Sequence, residues 1–83
     1  MSKEPLGMTG QVPSVGRIVH YQSYGTPKGE YLPLPRAAVI TEVDADGSTV
    51  GVCVLNPTGL FFNQHVPFSV DPQPGHWNWP PRI

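Results

Sequence analysis

The sequence predicts an all-β protein, a small five-stranded SH3-like open barrel with Pro-rich terminal arms. Three observations lead there. Between Arg36 and Phe68 the chain reads as three strand-like runs, RAAVITEV, STVGVCVL and LFFNQHVPF, separated by DADG and NPTG. No segment carries capped i, i+3, i+4 apolar spacing over a helical length, so no helix is expected. Of the 11 prolines only Pro57 and Pro67 fall inside that run, which leaves an ordered β core between proline-rich flanks.

The first strand is expected over Gly16–Ser23. Alternation in GRIVHYQS sets Ile18 and His20 against Arg17, Val19 and Tyr21. Residues Tyr24–Pro35, YGTPKGEYLPLP, form a long extended loop, because proline fixes φ and disfavours helix at the preceding residue. The second strand is Arg36–Val43. Ala37, Val39, Thr41 and Val43 are all apolar or β-branched and are the expected core face, against Ala38, Ile40 and Glu42. Asp44–Gly47 is a hairpin turn in which Gly47 takes positive φ and the aspartates bond nearby amides. The third strand, Thr49–Leu55, is nearly continuous apolar, and Gly51 within it signals a bulge or sharp bend. Asn56-Pro57-Thr58-Gly59 fits a β-turn with Pro at its second position. A fourth strand, Leu60–Phe68, and a short fifth, His76–Trp79, complete the set. An OB-like five-stranded barrel is the alternative arrangement.

Eighty-three residues make one small domain with a thin core. The expected layout is an extended N-terminal arm at 1–14 and a single barrel domain at 15–83 with a Pro-rich C-terminal tail. Cys53 is the only cysteine, so no intrachain disulfide forms and nothing points to an oxidising compartment. A net charge of −1 provides no electrostatic footprint for nucleic acid or an anionic membrane. No apolar run approaches the roughly 20 residues needed to span a bilayer. MSKEPLGMTG lacks the basic-then-apolar layout of a secretion signal. The expected location is a reducing cytosol or a particle assembled there, neither secreted nor transmembrane.

The set GRIVHY, RAAVITEV, CVLNPTG, FFNQHVPF and the terminal HWNWP resembles a family of small, largely uncharacterised β proteins of bacteriophages and actinobacterial genomes. The resemblance covers about Gly16 to Pro80. It implies a phage or prophage setting, in which small β-barrels serve as capsid decoration, as tail components or as inhibitors of host proteins. It carries no activity, cofactor or ligand role for any residue.

The chemistry-bearing side chains form no catalytic set. His20, His65 and His76 lie on different strands without the short spacing of a zinc site. Cys53 sits in the most apolar strand, where a thiol behaves as an inert small hydrophobe; a catalytic thiol would need a histidine partner, for which His65 on the adjacent strand is the candidate. Glu42, Asp44 and Asp46 cluster at a hairpin tip, a solvated position. No catalytic, cofactor or metal residue is therefore assigned, and no cofactor is expected. The aromatics carry the interaction reading: Tyr21, Tyr24, Tyr31, Phe62, Trp77 and Trp79 are the candidate contact residues. Alternation sets Trp77 and Trp79 on one face, where they either close the core or anchor another subunit. The expected function is non-enzymatic: a phage structural or assembly protein acting through contacts with other capsid or tail subunits or with itself. A small inhibitor or ligand-sequestering protein is the alternative, which a pocket of Tyr21, Tyr24, His20 and Trp77 would mark.

Overall fold

The five strands, in a computed structural model that describes residues 12–25 and 34–81, are β1 (Ile18–Gln22), β2 (Pro35–Val43), β3 (Val50–Asn56), β4 (Gly59–Val66) and β5 (Trp77–Asn78). They form one antiparallel sheet in the order β4-β3-β2-β1-β5. This is an all-β open barrel. Its ends are joined by a single parallel bridge, where Trp77 N donates to Pro67 O (3.0 Å) and Ser69 N donates to Trp77 O (3.0 Å). Among the described residues no helix is long and apolar enough to cross a membrane. The expected arm at 1–14 falls outside the described residues up to residue 11, as does most of the loop after β1, including Tyr31.

The core is Val19, Ala38, Ile40, Val50, Val52, Val54, Val66, Trp77 and Trp79, with Tyr21, Val43 and Phe68 packed against it. This corrects the expected face of β2: Ala38 and Ile40 are buried, Ala37 and Thr41 are exposed, and Val39 is only half-buried. Only Val43 of the predicted set packs inward, and a bulge is the reason. Ile40 pairs with Val52 and Glu42 with Gly51, so Thr41 is an extra residue on β2. The insertion flips the side-chain parity, and both Ile40 and Val43 reach the same core.

Gly51 sits opposite a second bulge. Val50 pairs with Val66 and Val52 with Asn63, which leaves an extra residue on β4, and His65 there has φ 57°. A Cβ at Gly51 would lie 3.0 Å from Glu42 Cγ and 3.1 Å from Thr41 Oγ1. Glycine at 51 thus makes room for the bulged segment of β2.

The two tryptophans form the centre of the core. The Trp77 ring stands 4.8 Å from that of Phe68 and edge-on to that of Trp79 at 5.1 Å. Its indole Nε1 donates to Ser48 O at 2.8 Å, which ties β5 to the β2–β3 turn. The Arg17 guanidinium lies over the Trp79 ring at 5.0 Å. On the β1–β5 seam the buried Gln22 amide donates through Nε2 to Asn78 Oδ1 at 2.9 Å.

The first hairpin turn is held by its own carboxylate. Asp46 accepts hydrogen bonds from the Thr49 hydroxyl (2.6 Å) and from the Thr49 and Ser48 amides (2.8 and 2.9 Å). The Thr49 hydroxyl first, then these amides, lower its pKa to about 2. A carboxyl depressed in the folded state stabilises the fold above its ordinary pKa near 4, and that contribution is lost as pH falls through about 2. Asp46→Asn is expected to lower the melting temperature at neutral pH. The gap from the parent should narrow steadily in thermal melts between pH 4 and pH 2.

Candidate functional site

Among the described residues nothing covers the concave face between β4 and the end of β1. A groove of about 220 Å³ lies there, lined by Tyr21, Ser23, Tyr24, Gly25, Val54, Asn56, Phe61 and Asn63. Register explains the membership. Val54 is opposite Phe61 and Val52 opposite Asn63, so Phe61 and Asn63 share the inward parity of the buried β3 valines. Among the described residues no strand lies beyond β4 to cover them.

Tyr21 and Tyr24 form the opposite wall. Tyr21 continues the core-facing side of β1, and burial first, then the neighbouring Tyr24 phenol, raises its pKa above the ordinary value. It is a neutral hydrogen-bonding phenol at any physiological pH. Ser23 Oγ accepts from Gly25 N at 3.1 Å and Ser23 N donates to Leu34 O at 3.2 Å, so the wall is braced where the long loop leaves β1. Tyr24 stands exposed against Gly75, whose amide donates to Gln22 O at 2.8 Å.

The groove therefore combines aromatic and valine surface with amide, hydroxyl and phenol groups, and none of its lining residues carries a charge at neutral pH. Such a surface suits a neutral, extended segment that presents both apolar side chains and backbone hydrogen-bonding groups.

Of the six predicted contact residues, Tyr21 and Tyr24 line this groove. Phe62 lies on the opposite, convex face. Tyr31 is outside the described residues. Trp77 and Trp79 are corrected: both are buried in the core, Trp77 wholly and Trp79 to 8% exposure, with Ser48 O and Phe68 against the Trp77 ring and the Arg17 guanidinium over that of Trp79. The groove shares Tyr21 and Tyr24 with the expected pocket but contains neither His20 nor Trp77. Sequence reasoning missed Val54, Asn56, Phe61 and Asn63. The available signal was Asn63, a polar residue two places from Phe61 on the same strand face.

The other candidate clusters are not assembled. Among the described residues no three His, Cys, Asp or Glu side chains gather to hold a metal ion. His65 Nδ1 lies 3.0 Å from Asp44 Oδ2, and this carboxylate raises the imidazole pKa. His76 Nδ1 lies 3.1 Å from Pro74 O. Cys53 is half-buried opposite Phe62, on the convex side. No protein-family model, curated protein or solved structure matches the chain.

Proposed function

We propose that this chain is a non-enzymatic assembly protein, a phage virion accessory such as a capsid decoration or tail component, that works through protein–protein contacts. The observation that carries the reading is the uncharged groove of Tyr21, Tyr24, Phe61, Asn56 and Asn63 at the open side of the barrel. An extended segment of a neighbouring subunit would lay apolar side chains against the aromatics. It would also find hydrogen-bond partners in the two asparagine amides. The virion setting rests on the motif resemblance described above.

A small inhibitor or sequestering protein is the second reading. The converging polar groups favour it, while the groove's size, below the usual range for small-molecule pockets, favours a peptide segment.

A phage or prophage genome is expected to carry this sequence, and particles grown from such a genome test the proposal. The chain should be found in purified particles at a fixed ratio to the capsid or tail proteins. A Tyr24→Ala, Phe61→Ser double variant should be incorporated at least about tenfold less, as expected for loss of aromatic anchors, while its melting curve stays close to the parent's. Absence of the parent chain from particles would remove the virion reading. Undiminished incorporation of the double variant would remove the groove from it.

A further inference from the structure

The two edges of the sheet are treated differently. At one edge β5 is two residues long, its outer side is bonded by Pro67 and Ser69, and Pro80 and Pro81 follow it. At the other, β4 runs for eight residues, GLFFNQHV, with no Lys, Arg, Asp, Glu or Pro. Among the described residues no strand pairs with its outer side. Natural sheets blunt long exposed edges with charge, proline, bulges or short length. Here the one such device is the bulge at His65, beyond the regular stretch Gly59–Asn63.

From this contrast we infer that the β4 edge is a self-pairing surface, on which a second copy of this chain adds its own β4 antiparallel. The inference deepens the assembly reading and rests on it for its setting, and it shares Phe61 and Asn63 with the groove. Asn56 and Gly59 close a two-residue turn, so antiparallel alternation points the backbone groups of Phe61 and Asn63 toward β3 and those of Leu60 and Phe62 outward. Two outward residues flanking Phe61 define a two-fold axis at Phe61. Leu60 then pairs with Phe62 of the second copy and Phe62 with its Leu60, exchanging four backbone hydrogen bonds. Phe61 meets its own equivalent.

The side chains support that register. Leu60 is 60% exposed, Phe61 49%, Phe62 71% and Leu55, beside Leu60 on β3, 41%. Strand pairing sets the flanks of Leu60, Phe61 and Phe62 against those of their counterparts, while Leu55, one strand further in, stays outside the contact. The contact therefore belongs with the small, weak interfaces, those below about 1,200 Å², and its dimer should depend on concentration. The contact is isologous and closes at two copies. No charge has to be desolvated to form it.

The purified full chain, examined by sedimentation velocity and light scattering over a wide concentration range, should reach twice its 9.0 kDa mass. Phe62→Lys places a charge at an exposed edge position and should weaken dimerisation at least about tenfold. Its circular dichroism should remain that of the parent. In a Cys53→Ala background, a mixture of Leu60→Cys and Phe62→Cys chains should form a mixed disulfide on mild oxidation. The pairing places these two Cα atoms about 5.5 Å apart, whereas Leu60→Cys alone should cross-link poorly. A monomer at every concentration, a dimer indifferent to Phe62→Lys, or open-ended oligomers in place of dimers would each overturn the inference. A monomer that still enters particles would overturn the pairing and leave the assembly reading standing. A dimer that fails to enter them would support the pairing and remove the virion reading.

Discussion

Replacing Trp77 with alanine is expected to cost about 3–5 kcal/mol, as large aromatic truncations in cores do. Trp77 is wholly buried and contacts Phe68, Trp79 and the carbonyl of Ser48. Its loss opens a cavity where β5, the β2–β3 turn and the segment after β4 converge, and leaves a carbonyl without its donor. A domain of this size has only a thin reserve of stability, about 5–15 kcal/mol in ordinary proteins. The melting temperature should therefore fall by roughly 15–30 °C. Trp77→Phe keeps an aromatic against Phe68 but removes the donor to Ser48, and should fall between parent and alanine variant. Thermal or urea denaturation followed by circular dichroism reads both. A Trp77→Ala melt within a few degrees of the parent would mean that the ring is not the keystone of this core.

Gly75→Ala is expected to damage stability and groove together. Gly75 has φ +81°, a region that strains an L-residue by about 1–2 kcal/mol. Its added Cβ would run into the Tyr24 hydroxyl and lie 2.8 Å from the ring carbon that bears it. Tyr24 is 70% exposed, so it yields more easily than the backbone and swings away from the groove. The backbone strain should lower the melting temperature by roughly 5–15 °C. The displaced ring should reproduce the incorporation defect of a Tyr24→Ala chain. A double-mutant cycle separates the two effects. Gly75→Ala made in a Tyr24→Ala background should retain its stability loss but cause no further binding loss, since the side chain it would displace is already gone.

The strand count and the two hairpin turns were legible because their signals are local: DADG and NPTG carry their own turn chemistry, and alternation marks the flanking runs. The buried face of β2 was not legible. Ala37 and Val39 are as apolar as Ala38 and Ile40, and Val43 joins Ile40 in the core only through an extra residue, Thr41, which shows in the pairing of Glu42 with Gly51. Gly51 announced irregularity without saying which neighbour would absorb it. The fate of the tryptophans was decided at a distance, by a carbonyl 29 residues from Trp77. In the groove, Tyr21 and Tyr24 were visible as aromatics beside the long loop. Choosing Phe61 over Phe62 required the β3–β4 register, which places Phe61 opposite the inward Val54.

The hydrogen bond from Gln22 to Asn78 joins residues 56 positions apart, and it has a kinetic meaning. The hairpins of β2, β3 and β4 can form from neighbours in sequence. The β1–β5 seam must wait for a long loop to close, and that entropy is spent before Trp77 finds its place. The barrel is therefore expected to fold as a late latch on an early meander. Until the latch closes, the surface left bare is the same tryptophan pair that defines the finished core.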